Sequence, residues 1–303
     1  MSKRPKIVMF CTQAPHTASR YYAAAMARQA VELVTIPFDH AAPVQPERAI
    51  PEADLLLMVD CGLPVLFPGL AEYTGRKGYV SIDSCHKLDQ HLHYVAAGGF
   101  HDVWVAQKHV VRHFADRGRW LPLAADPEIH SCRPELARYA SSIWSRCLQP
   151  AFFDVGMCGA PYAHRRLFER LFRKGGLTTN FHYRRRFGEQ VTWEMSRCTI
   201  GFNVGAGYTG QKGQDLNMRI FETMANGHCM LLTNTYPGLG YDELFEEGVH
   251  HAGFTTDAEA LDKARHYKAN PLAAIAMARR AQTLILEQHT YDHRCRTILH
   301  ALT

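Results

Sequence analysis

Short apolar runs alternate with helix-length segments along almost the whole chain, and this alternation limits the fold more than any other feature. It begins with the run Lys6 to Cys11, passes through a helix from about Ser19 to Gln29, and returns to Val31 to Pro37. Strand, helix and strand in that order build parallel sheets with helices on their faces. The rhythm continues through Asp54 to Asp60, Gly78 to Asp83, a helix near Lys87 to Ala97, Asp102 to Ala106, a helix near Lys108 to Asp116, and Arg119 to Leu123. These elements predict a self-contained doubly wound unit. The stretch AADPEIHSCRPELARYASSIWSRCLQP then carries turn chemistry at Asp126-Pro127 and Arg133-Pro134 and reads as a connection.

The alternation restarts at Phe152 to Met157, with helices at His164 to Arg173 and Phe187 to Arg197 and strands at Thr178 to Phe181, Thr199 to Asn203, Cys229 to Thr233 and His250 to Phe254. Helices at Ala258 to Ala269, Pro271 to His289 and Tyr291 to Ala301 close the chain. The expected organisation is a first Rossmann-like domain over residues 1–148, a second over 149–290, and a terminal helix, 291–303, returning to the first. Each sheet is expected to offer the carboxyl ends of its strands to a cleft, where ligands of such sheets bind.

A length of 303 residues leaves room for two cores, and 47% hydrophobic with 21% charged residues argues against disorder and against a coiled coil. The longest apolar runs, such as Asp54 to Val59, are strand-sized and far below the ~20 residues of a membrane-spanning helix. MSKRPKIVMF runs straight into a strand pattern with no small-residue cleavage site, so a cytoplasmic location is expected. Nine cysteines lie scattered without a CxxC pair, which predicts reduced thiols rather than a disulfide framework or a zinc site. The formal charge of +5 is modest, and the one concentrated basic run is His182 to Arg186. That run suits a solvated loop, a nucleotide phosphate or a nucleic acid backbone.

Two stretches carry candidate chemistry. In DVGMCGAPYAHRRLFERLF, Gly156, Gly159 and Ala160 separate a strand end from a helix that supplies Arg165 and Arg166 in its first turns. Small residues admit a ligand close to the backbone, a helix N-terminus favours an anion, and arginine adds bidentate phosphate contacts. The GxGxxG and GxxxxGK[ST] spacings are both missing, which weighs against NAD and ATP chemistry. In GFNVGAGYTGQKGQDLNMRIFETMANG, a strand end at Asn203 leads through a glycine-rich segment into a helix expected to begin near Asp215. On that helix Asp215, Arg219 and Glu222 would share one face, a carboxylate for ribose hydroxyls beside an arginine for phosphate.

DLNMRIFETMANGHCMLLTN, YDELFEEG and HTYDHRCRTIL resemble the C-terminal domain of the CgeB-like glycosyltransferases, which are similar to the GT-B enzymes with an E-x7-E motif. YVSIDSCHKLDQHLHYVAAGGFHDVWVAQKHVVRHF, WLPLAADPEIH and FDVGMCGAPYAHRRLFERL extend the resemblance from about residue 78 to the end. It implies a GT-B architecture of two Rossmann-like domains facing a central cleft. The implied activity is transfer of a hexose from a nucleoside diphosphate sugar, UDP-sugar favoured, to a hydroxyl acceptor with retention of configuration. Glu222 matches the second acid of the motif, which holds the donor ribose, while the first acid falls at Gln214, so that Asp215 takes the sugar-side role or the sugar is read differently. Arg165 matches the arginine near the diphosphate, Asn217 and Arg219 match the donor-side motif, and Gly159 and Asn203 complete the donor set.

In the first half, SIDSCHKLDQHLHYV places Asp83 and His86 in a loop after a strand, as candidates for acceptor positioning or proton transfer. The leaving phosphate can also take the acceptor's proton, in which case His86 positions groups. His16 and Arg20 in APHTASRYY are candidate acceptor contacts, although helix capping at Thr17 or Ser19 explains that stretch equally. His86, Asp89 and His93 have metal-like helical spacing, but the expected site holds no metal, and no cofactor beyond the donor is required. Two alternatives stay open. One is a phage-type DNA glycosyltransferase acting on a hydroxymethylated base, with Arg184 to Arg186, Lys108 or Arg112 on phosphates; the other is an inactive nucleotide-binding relative.

Overall fold

A computed structural model describes residues 4–60, 64–132, 153–183, 186–205, 207–208 and 215–302. The chain forms two compact units, one of Met1–Leu123 with Tyr291–Thr303 and one of Ala124–Thr290. The division falls ahead of the boundary at 148 read from the sequence. Just past the division, Ala125 bridges Thr290, and its amide donates to the carbonyl of His289.

The first unit is a six-stranded parallel sheet in the order β2-β1-β3-β4-β5-β6. Its strands are β1 Lys6–Cys11, β2 Glu32–Pro37, β3 Leu55–Val59, β4 Lys77–Ser81, β5 Asp102–Val105 and β6 Gly118–Trp120. Central strands β3, β4 and β5 are buried along their whole length, as a sheet covered on both faces requires. Helices α1 Ser19–Ala27 and α2 Leu88–Gly98 cover it, while Lys108–Arg117 forms a 3-10 helix interrupted at Ala115 (φ 53°) where an α-helix was expected. The terminal helix α10, Tyr291–His300, belongs to this unit. Tyr291 stacks on Tyr21 at 5.4 Å and meets Tyr22 edge-on at 4.9 Å, and Arg294 donates to the carbonyls of Pro122 (2.7 Å) and Leu123 (3.0 Å). An arginine buried to 6% exposure survives there because its N–H groups meet carbonyls.

The second unit is a five-stranded parallel sheet, β11-β10-β9-β7-β8, from β7 Phe153–Cys158, β8 Thr179–His182, β9 Cys198–Asn203, β10 Met230–Asn234 and β11 His251–Phe254. Its helices are α3 Pro127–His130, α4 Ala163–Lys174, α5 Glu189–Ser196, α6 Met218–Asn226, α7 Tyr241–Leu244, α8 Asp257–Ala269 and α9 Pro271–Gln288. An aromatic core holds one face, with Phe202 stacked on Phe254 at 5.5 Å and Phe168 against Phe202 at 4.9 Å. Such pairs add about 0.5–1.5 kcal/mol each beyond burial of area. In both units the strand order reverses once, between β1 and β3 and between β7 and β9. Sheets of this kind bind ligands outside the carboxyl ends of the strands at such a reversal.

Candidate active site

At the reversal in the second unit, β7 runs into Gly159 and the chain turns to α4, whose third residue is Arg165. The guanidinium of Arg165 donates through Nε (3.1 Å) and Nη2 (2.8 Å) to the carbonyl of Val204, one residue past β9, and through Nη1 to the carbonyl of Ala160 (3.2 Å). It therefore ties the loop after β7 to the end of β9, across the point where the strand order turns back. Gly159 has to be small, because a Cβ there would run into that guanidinium. Three of its five N–H bonds are spent on carbonyls, and its face lies 4.8 Å from the ring of Tyr162. Burial lowers its pKa, with Tyr162 and Asp215 opposing and Arg219 adding to the shift. An arginine nevertheless stays charged.

His164, beside it, is buried to 7% exposure and stacks on Tyr162 at 5.6 Å. Burial and then Arg165 push its pKa down, against a backbone hydrogen bond at Gly205, so the ring is neutral at pH 7. Its Nε2 has no hydrogen-bond partner among the described residues.

The helix carrying the charged run starts later than the sequence suggested. Asn217 is its N-cap, accepting the amide of Arg219 at 3.1 Å, and α6 begins at Met218. Asparagine is among the strongest N-caps, and a cap ends the helix on its own residue. Asp215 consequently lies outside the helix and shares no helical face with Arg219 and Glu222. It sits against Gly205 at the end of β9 and acts electrostatically on Arg165. Asn217 is committed to the cap.

Glu222 is 3% exposed. Its Oε2 pairs with Arg219, and its Oε1 lies 3.2 Å from Nε2 of His130. His130 closes α3, and its Nδ1 accepts the amide of Asp126 at 2.9 Å. An acceptor Nδ1 puts the ring proton on Nε2, the ring nitrogen nearer that carboxylate. Asp126 in turn caps α3 through the amide of Glu128 (2.9 Å). Glu222 is thus held from its own helix and from a segment far away in sequence, and His130 escaped the sequence reading because nothing local announces it.

Asn203 is buried, donating to Oγ1 of Thr233 at 3.0 Å, and Asn234 accepts the amide of Gly205 at 2.8 Å, so the ends of β9 and β10 are laced together. Gln214 lies outside the described residues, as do Arg184 and Arg185 of the basic run. The remaining arginine of that run, Arg186, lies 3.9 Å from Glu194, which also meets His182 (3.1 Å) and Arg197 (3.3 Å). A cavity of about 940 Å³ opens beyond β10 and β11, but Asp242, Glu243, Glu246 and Glu247 line it, a poor seat for a diphosphate.

In the first unit a buried carboxylate stands beside the strand-order reversal. Asp60, just past β3 and 0% exposed, accepts the amides of Ile82 and Asp83, both at 3.1 Å. Its Oδ2 lies 3.9 Å from Nε2 of His91, whose Nδ1 bonds the hydroxyls of Tyr79 (2.9 Å) and Ser81 (3.1 Å). Burial lowers the His91 pKa, with Asp60 pulling the other way. Asp60 thereby fixes the loop that carries Asp83 and His86, and the amide of His86 donates to the carbonyl of Asp83 at 3.0 Å. The His86 ring is exposed and acts electrostatically on His109.

Because α2 begins at Leu88, His86 lies outside it, and the helical face expected for His86, Asp89 and His93 does not form. Among the described residues no three His, Cys, Asp or Glu side chains converge as metal ligands would. His16 meets His40 ring to ring at 4.8 Å, and Arg20 lies over Tyr21 at 4.5 Å. Neither Thr17 nor Ser19 caps α1: Thr17 bonds the carbonyl of Ala14 at 3.0 Å, and Ser19 accepts the amide of Thr12 at 3.1 Å.

Residues 165–300 match a family model described as glycosyl transferase-like. The chain carries a glycosyltransferase domain. Around this domain the whole chain has the α/β fold of GT-B glycosyltransferase structures. Among the solved structures similar to it is Anabaena HepE in complex with UDP-glucose, with 13% identity, 99% of each chain covered and a TM-score of 0.65. Sucrose-phosphate synthase from Thermosynechococcus elongatus matches at 9% identity, over 98% of each chain, with a TM-score of 0.62. A glycosyltransferase from Rickettsia africae matches at 8% identity, over 99% of this chain and 98% of that one, also with a TM-score of 0.62. No curated protein matches the sequence significantly. No described helix is long and apolar enough to cross a membrane.

Proposed function

We propose that this chain is a CgeB-like glycosyltransferase that moves a hexose, glucose first among candidates, from a UDP-sugar to a hydroxyl acceptor in the cytoplasm, with retention of configuration. The observation that carries the proposal is Arg165, a charged guanidinium pinned across the β7/β9 reversal with two N–H bonds beyond those it gives to Val204 and Ala160. The similarity to HepE, whose structures hold UDP and UDP-glucose, supports a uridine donor.

In the reaction the bond from the anomeric carbon to the diphosphate oxygen breaks as the acceptor's hydroxyl oxygen bonds to that carbon. The hydroxyl proton passes to the departing diphosphate, leaving UDP and the glycoside. Charge builds on the diphosphate oxygen in the transition state, and a preorganised guanidinium is worth most there. Glu222, held by Arg219 and His130, receives the ribose hydroxyls, Asp215 faces the sugar, and Asp83 and His86 orient the acceptor. With cationic side chains at the diphosphate, no divalent metal is required.

Calorimetric titration with UDP, UDP-glucose and GDP in EDTA tests this. UDP is expected to bind in the absence of metal, and Arg165→Ala to weaken it about a hundredfold, the loss of one charge-assisted contact of roughly 2–3 kcal/mol. Equal affinity of the folded variant, or a preference for GDP, would sink the donor assignment.

A further inference from the structure

The outward face of α4 carries four cations and no exposed acid. Residues three and four apart on a helix share a face, and here that face holds Arg166, Leu167, Arg170, Arg173 and Lys174, all exposed. The opposite side is buried, with Phe168 and Phe172 in the aromatic core. Arg165 turns away to the carbonyl of Val204. The helix has a single acid, Glu169, which accepts the hydroxyl of Tyr183 at 2.8 Å and pairs with Arg173 at 2.6 Å. Arg166 lies 5.5 Å from the ring of Tyr183, while Arg170 and Lys174 have no hydrogen bond or ion pair among the described residues.

A helix that merely faces water mixes its signs, as α8 of the same unit does where Glu259 pairs with Lys263 at 2.9 Å. On α4 the like charges of Arg166 and Arg170, and of Arg170 and Lys174, stand four residues apart, which destabilises a helix. Arg265 of α8 donates to the carbonyl of Gly175, just past α4, and adds a fifth cation at that end. A face built against its own repulsion fits a partner that supplies the opposite charge.

Leu167, 52% exposed, stands among these cations, and Tyr162, 42% exposed, precedes the helix. An aliphatic side chain gains nothing from a sugar-phosphate backbone, but it gains by leaving water for the acyl boundary of a lipid leaflet. Lipid phosphates also present their charge over a plane, broad enough to meet the whole face of a helix about 18 Å long.

We propose that α4 docks the second unit on an anionic lipid surface, with Arg166, Arg170, Arg173 and Lys174 meeting lipid phosphates and Leu167 entering between the headgroups. The contact is electrostatic and reversible, since one leucine offers far less apolar area than an embedded amphipathic helix. It stands apart from the transferase reading and holds whether or not UDP binds.

Co-sedimentation of the full chain with vesicles of phosphatidylglycerol and phosphatidylcholine in a one-to-two ratio tests this, against pure phosphatidylcholine vesicles and a short duplex DNA. The chain is expected on the anionic vesicles and not on the neutral ones. Each Lys or Arg beside such a surface is worth roughly fivefold in affinity, so Arg170→Gln combined with Lys174→Gln should lose about twenty-five-fold. Arg170→Lys should stay near wild type, and Leu167→Ser should weaken vesicle binding severalfold. Because these side chains are exposed, the variants are expected to melt at or above the wild-type temperature. Absent sedimentation, equal sedimentation with neutral vesicles, or unchanged affinity of the double variant would overturn the proposal. Duplex DNA that binds more tightly than the anionic vesicles, with no response to Leu167→Ser, would make the face a nucleic-acid contact and overturn it as well.

Discussion

In the first unit the strand order turns back between β1 and β3, and the buried charge beside that reversal is the carboxylate of Asp60. In the second it turns back between β7 and β9, and the charge spanning it is the guanidinium of Arg165. Both groups do the same mechanical work: Asp60 gathers amides of the loop after β4, and Arg165 gathers carbonyls of the loops after β7 and β9. Their electrostatic consequences are opposite. Asp60 sets a buried negative charge beside its reversal, whereas Arg165 sets a positive one across the other. Parallel-sheet topology gives both units the same kind of reversal, and the side chains beside it give the two reversals opposite charge.

The largest expected effect sharpens this contrast within the second unit. Glu222→Ala leaves Arg219 without its carboxylate and removes the carboxylate that lies 3.2 Å from His130, and should cost roughly 3–5 kcal/mol of stability as well as abolish UDP binding. Urea unfolding and calorimetry on the same samples separate the two losses. His130→Ala should cost less stability and still weaken UDP, because Glu222 loses one of its two anchors. Unchanged affinity there would mean that the His130 contact is structural only.

The matching change in the first unit is Asp60→Ala, which strands the amides of Ile82 and Asp83 at a cost of roughly 2–3 kcal/mol. UDP affinity should not move while acceptor-dependent turnover falls. A drop in UDP affinity of the folded variant would break the division of labour between the units.

Acid should act on the second unit through His251, 2% exposed, whose pKa burial pushes down to about 4 against the pull of Glu247. The unfolded chain takes up that proton near pH 6.5 and the folded chain refuses it until about pH 4. Stability from this group is therefore complete above pH 6.5, is lost as the pH falls, and stops changing below about 4; the whole window is worth roughly 3 kcal/mol. His251→Phe, which keeps a ring against Tyr241 and Phe245, should flatten the pH dependence of unfolding between those limits. An unchanged slope would mean that other groups carry the acid sensitivity.

The smallest effect tests the cap. Asn217→Ala should cost about 1 kcal/mol, and Asn217→Asp almost nothing, with UDP affinity nearly unchanged in both. A large loss of affinity in Asn217→Asp would give the side chain a direct role with the donor.

Much of the fold was legible because period and length are local properties. The apolar runs predicted β1 to β11 to within a few residues, since a strand covered on both faces is mostly apolar. The place of Arg165, just past a small-residue turn, was legible because a strand end, small residues and a helix start follow one another along the chain. The start of α6 was misread: a charged run looks helical until a capping residue inside it takes the amide of Arg219, and Asn217 does so. The 3-10 geometry of Lys108–Arg117 was likewise not visible, since its residues suit an α-helix equally well.

By itself, the sequence determined two parallel α/β units, a small-residue turn followed by an arginine, and a helix that carries Arg219 and Glu222. Only the tertiary structure decided that His130 faces Glu222, that Asp60 holds the loop of Asp83, and that residues from two loops and one helix enclose an apolar cavity. Periodicity is dictated by neighbours along the chain, whereas a buried histidine–carboxylate contact or a cavity wall depends on which distant segments the closing sheet brings together, and no local pattern encodes that meeting.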